Sequence, residues 1–261
     1  MPPHFPSVPA DDFRSFVNVV RRLREECPWD REQTHESIRN SLLEESYEVL
    51  ETLDSGDRVE LKKELGDLLL HVVMHATIAE QASEFTLQEV ILEITSKLVR
   101  RHPHVFGSTK VADSAEVKQN WDRLKMGEGR SSILDGIPEV LPALQKAQRM
   151  QERAATAGFD WKSPADVLQK VTEEANEFRA TIESQDPVKR EEEFGDLLFS
   201  LVNYARFIKI NAEDALRTAA RKFNRRFRFV EDALRQRGQD IHASSLEEMD
   251  SLWNQAKSNG L

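Results

Sequence analysis

Two groups of acidic residues, spaced identically in the two halves of the chain, are the residues best suited to do chemistry. The first group is Glu44-Glu45-Ser46-Tyr47-Glu48 followed by Glu64-Leu65-Gly66-Asp67, and the second is Glu173-Glu174-Ala175-Asn176-Glu177 followed by Glu193-Phe194-Gly195-Asp196. Matching acids differ in number by 129 (174 − 45 and 196 − 67). A duplicated set of carboxylates predicts a site for a hard divalent cation, because such ions take oxygen ligands.

The elements that must position these acids are helices. Apolar residues recur at three- and four-residue intervals, whereas the alternating patterns of strands are scarce. Between the acidic blocks of the first half, Gly56 can end one helix and Asp57 can cap the next. The second half has Asp186 as a cap and Pro187 at the first helical position. Each half is therefore predicted to contain an antiparallel helical hairpin.

On such a hairpin, acids three residues apart share a helix face, so four carboxylates converge in each half. The predicted metal ligands are Glu45, Glu48, Glu64 and Asp67 in the first half, and Glu174, Glu177, Glu193 and Asp196 in the second. Carboxylates this close repel one another, so a cation or a raised pKa must compensate. We expect Mg²⁺, with Mn²⁺ as a substitute, because both ions suit carboxylate, water and phosphate oxygens. Gly66 and Gly195 inside these helices suggest close helix approach or ligand access.

Basic and aromatic residues follow the acidic blocks in both halves. Lys and Arg can bind polyphosphate oxygens, and an indole can stack on a base. The predicted contacts are Lys222, Arg226, Trp253 and Lys257 in the second half, and Lys97, Arg101, Trp121 and Lys125 in the first. The halves differ, because Lys170 and Lys189 correspond to Ser41 and Glu60. We therefore expect the C-terminal half to be the main catalytic unit.

Length and composition set the remaining expectations. The 261 residues suit two related units, predicted as 1–128 and 129–261, with a connection that starts at about residue 107. The net charge of −10 disfavours a broad nucleic-acid surface. A single cysteine fits a reducing compartment, and neither a secretory signal nor a membrane span is recognised. The expected protein is cytoplasmic and contacts neither nucleic acid nor membrane.

The acidic motifs, together with Cys27-Pro28-Trp29-Asp30 and Arg101-His102-Pro103-His104-Val105-Phe106, resemble the MazG family of nucleoside triphosphate pyrophosphohydrolases. The resemblance covers nearly the whole chain. It implies an all-α fold in which two helical bundle domains, each built on a helix hairpin, form a tandem repeat. It also implies a homodimer in which these domains are intertwined. It also implies Mg²⁺-dependent hydrolysis of NTPs and dNTPs to NMP and pyrophosphate, with broad base specificity.

Carried over by residue, the resemblance assigns metal binding to Glu174, Glu177, Glu193 and Asp196. It surrounds the nucleotide with Lys170, Glu173, Lys189, Glu192, Asp196, Lys222, Arg226, Trp253 and Lys257. Glu173 or Glu192, as acids outside the metal shell, can position or deprotonate the attacking water. The N-terminal acids match the metal pattern equally well, so only the missing lysines separate the two halves.

Three other functions compete with this hypothesis. A pyrophosphatase restricted to one nucleotide, such as dUTP, dCTP or phosphoribosyl-ATP, keeps the same fold and metal. A ferritin-type metal protein needs Glu-x-x-His pairs, which neither acidic block contains. A non-catalytic helical module would use the acidic face to dock a basic protein. The sequence leaves base and sugar preference, the physiological substrate and regulatory partners open.

Overall fold

The computed structural model describes residues 12–113, 116–117, 120, 131–184 and 186–261, and every regular element in these ranges is a helix. The chain divides into two compact units between Ala112 and Asp113. This division falls within the connection predicted to begin near residue 107, whereas the predicted boundary at 128/129 lies outside the described residues. None of the described helices has both the length and the hydropathy needed to cross a membrane.

The first unit is organised around one long helix. Its helices are α1 (Phe13–Glu26), α2 (Pro28–Glu32), α3 (Arg39–Ser55), α4 (Arg58–Ala82), α5 (Leu87–Arg101) and α6 (Pro103–Phe106). Helix α4 packs against α1, α3 and α5. The core joins α1 to the second half of α4, and it includes the buried residues Val17, Val20, Val73, Met74 and Ile78.

The second unit repeats this plan. Its helices are α7 (Ala143–Thr156), α8 (Pro164–Ser184), α9 (Pro187–Phe207), α10 (Ala212–Gln236) and α11 (Leu246–Ser258), with a 3₁₀ turn at Ile241–Ala243. Helix α9 packs against α8 and α7, and α10 packs mainly against α11. Val230, Leu234 and Leu252 form the buried centre of the α10–α11 pair.

The predicted hairpins, α3–α4 and α8–α9, are confirmed together with the residues that delimit them. Gly56 ends α3 with a φ of 75°, a conformation that suits glycine. The Asp57 carboxylate accepts hydrogen bonds from two backbone N–H groups at the start of α4. Asp186 does the same for α9, which begins at Pro187. Because the two caps are 129 residues apart, α4 and α9 begin in the same register.

Candidate functional site

The acids of the first unit form a compact cluster. Glu45 and Glu48 on α3 and Glu64 on α4 each offer one carboxylate oxygen, and these oxygens lie within 4.8 Å of one another. Burial raises the pKa of Glu64, and the neighbouring carboxyl group of Glu48 raises it further. Asp67 adds to the rise in the pKa of both Glu45 and Glu64, so it lies close enough to repel them.

The second unit brings together the matching three acids. Oxygens of Glu174, Glu177 and Glu193 lie within 4.8 Å of one another, and Glu174 is buried. Burial is the main cause that raises the pKa of Glu177, and repulsion from Glu174 and Glu193 raises it further. The fourth predicted ligand, Asp196, is exposed on α9 and lines the same cavity as Glu174.

Both clusters have the donor set that a hard cation requires. All the ligand atoms are carboxylate oxygens, and burial followed by mutual repulsion raises the pKa of at least one acid in each cluster. A divalent ion between the carboxylates removes this repulsion. The residues present therefore fit Mg²⁺, and they would hold it at the seam between the two helices of each hairpin.

Lys170 lies beside the second cluster, and its predicted contact with the nucleotide stays a prediction. Its Nζ lies 2.8 Å from Glu173 Oε1 and 2.6 Å from Glu174 Oε1. These two hydrogen bonds raise the pKa of Lys170, so the side chain carries a full positive charge at neutral pH. Lys189 and Glu192 are exposed in the first part of α9, on the helix that supplies Glu193.

The other predicted nucleotide contacts of the second unit lie on the α10–α11 pair. Arg226 donates from Nε to the backbone oxygen of Leu261 at 2.7 Å, and its guanidinium lies 5.6 Å from the ring centre of Trp253. The Trp253 ring also packs on Phe223, with 5.1 Å between centres. Lys222 and Lys257 are exposed on the same pair. These observed contacts are with α10, α11 and the C-terminus, so a role of these residues at the carboxylates stays a prediction.

In the first unit, Lys97 and Arg101 lie on α5, where both are half-buried. Trp121 and Lys125 lie outside the described residues. The glycines between the acids, Gly66 and Gly195, face open space, since a Cβ added at either one meets no heavy atom within 4 Å. Close helix approach within the chain therefore does not explain these two glycines.

A cavity of about 600 Å³ lies beside the second cluster, between α7, α8, α9 and the loop Gly158–Trp161. One end of the cavity is formed by Lys170, Glu174 and Asp196. The rest of its wall is mainly apolar, with Phe159, Trp161 and Phe199 among the lining residues, and it contains the amides Gln151 and Asn203. The sequence does not predict this cavity, because the cavity forms only when α7 packs on α9.

Two segments of the chain, residues 33–106 and 162–230, each match the family model of the MazG nucleotide pyrophosphohydrolase domain. "Nucleoside triphosphate pyrophosphohydrolase/pyrophosphatase MazG" of Thermotoga maritima is 44% identical over 250 residues, which cover 94% of this chain and 95% of that protein. "Nucleoside triphosphate pyrophosphohydrolase" of Escherichia coli K12 is 43% identical over 250 residues, covering 92% and 95%. A solved structure, "Crystal structure of mazG-related protein from Thermotoga maritima", matches 43% of this chain and 98% of its own, with 25% identity and a TM-score of 0.40.

Proposed function

Since the chain belongs to the MazG nucleotide pyrophosphohydrolase domain family, we propose that it is a nucleoside triphosphate pyrophosphohydrolase. It hydrolyses NTPs and dNTPs at the bond between the α and β phosphates, releases NMP and pyrophosphate, depends on Mg²⁺ and accepts many bases. One observation carries the proposal: three converging carboxylates have a lysine beside them, and two members of this group, Lys170 and Glu174, also line a cavity of nucleoside size.

Glu174, Glu177 and Glu193 would hold the metal, with Asp196 close by on α9. Bound there, Mg²⁺ supplies activation of a coordinated water and screening of the triphosphate. The buried Glu174 is held by Lys170, which keeps its carboxylate in place before substrate binds. Each ligand is thus oriented by its helix rather than by a loop.

An acid that does not bind the metal carries out the proton transfer. Glu173 adjoins the metal ligand Glu174, and Glu192 adjoins Glu193. Glu173 is already bonded to Lys170 at 2.8 Å, so its carboxylate is held in position. In this role it accepts the proton of the attacking water. Lys170, Lys189, Lys222 and Arg226 stabilise the negative charge on the phosphate oxygens.

The second unit is the main catalytic unit under this proposal. The first unit has the same acids, but Ser41 and Glu60 stand where the second has Lys170 and Lys189. Glu60 moreover takes the nearby cation, since Lys63 Nζ lies 2.6 Å from its carboxylate. The first cluster therefore has less positive charge available for a triphosphate.

A homodimer explains the apolar residues that the chain leaves exposed. Helix α5 carries Ile91, Leu92, Ile94, Leu98 and Val99, each more than 40% exposed. Helix α9 carries Phe194 and Leu201, which are also more than 40% exposed. Large apolar residues grouped along a helix are typical of protein interfaces. We propose that a second copy of the chain covers them.

A panel of NTPs and dNTPs tests the function directly. With Mg²⁺, the protein is expected to release pyrophosphate and not orthophosphate from every member of the panel, and chelation of the metal is expected to stop the release. Release from a single nucleotide would replace the broad proposal with the restricted pyrophosphatase. If no substrate yields pyrophosphate, the result would instead support the non-catalytic module that docks a basic protein.

A further inference from the structure

We propose that His35 and His75 form a proton-operated latch, which fastens residues 33–38 and the start of α3 to α4 at neutral pH and opens when both imidazoles are protonated. His35 lies in the segment between α2 and α3, and His75 lies in the second half of α4. Both residues belong to the first unit. Neither takes part in the function proposed above, so the latch is a separate property of the chain.

The two imidazole rings are joined directly. His35 Nδ1 lies 2.7 Å from His75 Nδ1, and the rings are parallel to within 2°, with 5.0 Å between their centres. The distance between the nitrogens is that of a hydrogen bond, so one Nδ1 carries a hydrogen and the other accepts it. When both rings are protonated, both nitrogens carry a hydrogen, and repulsion between two cations replaces the bond.

A single added proton is compatible with the latch. The side chain of His35 is 35% exposed, and its Nε2 lies 4.0 Å from the carboxylate of Glu84. His35 can therefore hold a proton on Nε2 and still donate from Nδ1 to His75. The second proton must enter at His75 Nδ1, where it removes the acceptor. His75 is therefore the residue whose protonation opens the latch.

The surroundings of His75 disfavour its charged form. Burial lowers the pKa of His75 below the ordinary histidine value of 6.5, and the positive charges of His35 and His71 lower it further. His75 Nε2 is buried and has no hydrogen-bond partner among the described residues. The closed latch therefore resists the second proton, and the open segment accepts it more readily.

The elements packed around the pair carry other charged groups, which are Arg21 and Arg24 of α1, Glu36 of the segment itself, Glu45 of α3, His71 and Glu80 of α4, and Glu89 of α5. Arg21 pairs with Glu80, and Glu89 accepts from the backbone of Thr86. Arg24 donates to the backbone oxygen of Gln33 at 2.9 Å, and this contact does not depend on pH near neutrality. Opening of the latch is therefore confined to the residues after Gln33.

The start of α3 depends on this segment. Helix α3 begins at Arg39, and its N-cap residue, Ile38, supplies no side-chain hydrogen bond. Ile38 is buried in the core, its backbone N–H donates to Thr34, and its carbonyl accepts from the N–H of Leu42. A first turn without a side-chain cap is held by the residues that precede it. Release of His35 is therefore expected to loosen the amides from about residue 34 to residue 42.

The second unit has no such pair. In the register of the acids, Pro164 and Tyr204 stand where the first unit has His35 and His75. Neither of these side chains changes its charge between about pH 5 and pH 8. The corresponding segment of the second unit, residues 163–171, is therefore an internal control in the same molecule.

The direction and size of the effect follow from the protons bound. In the open segment His75 is in water and titrates near the ordinary value of 6.5, whereas its pKa is lower in the closed segment. The closed form is therefore fully stable above pH 6.5 and loses stability as the pH falls below this value. Each pH unit below it raises the open fraction by up to about tenfold, until His75 is protonated in the closed form as well.

Hydrogen–deuterium exchange of the full chain tests the latch, after correction for the intrinsic effect of pH on amide exchange. Between about pH 7.5 and pH 5.5, residues 34–42 are expected to lose about tenfold in protection, and residues 163–171 less than about twofold. His35→Asn retains a donor and an acceptor near the position of Nδ1 at every pH, so its loss at residues 34–42 is expected to stay below about threefold. His242→Asn, the same substitution at an exposed histidine of the second unit, is expected to behave like the parent.

A parent whose residues 34–42 are equally protected at the two pH values would overturn the proposal, and this measurement needs no variant to fold. An equal loss in His35→Asn and the parent would also overturn it, because the histidine pair would then not be the cause. The carboxylates of the first cluster titrate in both proteins, so the comparison removes their effect. No nucleotide is hydrolysed in these measurements, so their failure is distinct from a failure of the proposed function.

Discussion

Lys170 Nζ lies 2.6 Å from Glu174 Oε1, and this ion pair has no counterpart in the first unit because Ser41 occupies the matching position. The second unit therefore neutralises its buried acid with a lysine. The first unit has no lysine at this position, and burial together with the neighbouring Glu48 raises the pKa of its buried acid, Glu64. The two clusters share a set of acids but differ in how they balance its charge.

Lys170→Met is expected to lower kcat/KM for NTP hydrolysis about 100-fold, the scale of losing one charged donor at a reacting group. The loss arises because Lys170 both restrains Glu174 and faces the phosphates. Steady-state kinetics measure it. Lys63→Met, which removes a lysine bonded only to Glu60 in the first unit, is the matched control and is expected to change kcat/KM less than twofold. Equal losses in the two variants would contradict a special role for Lys170.

Glu177→Gln and Glu48→Gln remove the same acid from the two units, since 177 − 48 is 129. Loss of a metal ligand in the catalytic unit is expected to lower turnover at least about 100-fold, whereas the change in the first unit is expected to leave it within about twofold. Pyrophosphate release reports both effects, and thermal melting checks the fold. Activity that survives in Glu177→Gln and falls in Glu48→Gln would assign catalysis to the first unit.

The pH dependence of stability follows from the acids with raised pKa values. The folded, metal-free chain holds protons on Glu45, Glu64 and Glu177 more tightly than the unfolded chain, whose glutamates titrate near 4.5. The contribution of these acids to stability is therefore full below pH 4.5 and is lost as the pH rises through their raised pKa values. Glu64→Gln is expected to melt at a higher temperature than the parent at pH 8 in a chelator, and the advantage is expected to shrink towards pH 4.5.

Magnesium is expected to reverse this effect, because an ion between the carboxylates replaces the missing protons. Its addition at pH 8 should raise the melting temperature of the parent more than that of Glu64→Gln. An Mg²⁺-induced rise of the same size in the two proteins would show that the first cluster does not bind the ion.

The exposed side chains of α5 are expected to form part of a dimer interface. Leu92→Lys places a charge at a side chain that is 63% exposed, and it is expected to shift the chain from dimer to monomer because a charge is costly in an apolar interface. Light scattering after size-exclusion chromatography measures the mass. Val140→Lys, at a position 93% exposed outside the helices, is the control and is expected to leave the dimer intact. A parent that is monomeric at all concentrations would contradict the proposal.

The local features of the fold could be predicted because they depend on residues close in sequence. The helix ends at Gly56, Asp57 and Asp186 depend on backbone groups within three positions. The sequence therefore predicts these ends, and the structure confirms them. The convergence of three acids in each unit also follows from helix periodicity and one turn. These predictions needed no knowledge of the core.

The cavity could not be predicted, since its walls come from segments far apart in the chain. Gln151 meets the carbonyl of Phe199, 48 residues away, and Asp160 meets Arg206, 46 residues away. The packing of Trp253 on Phe223 within the α10–α11 pair is likewise absent from the local pattern, and the contact of Trp253 with a nucleotide stays a prediction.

The burial of Met74 where the second unit has Asn203 carries a consequence for stoichiometry. If both acidic seams retain their ions while only one half has room for a base, each polypeptide takes up twice as many divalent cations as nucleotides. One half would then bind an ion without a base beside it, whereas the other half would bind both.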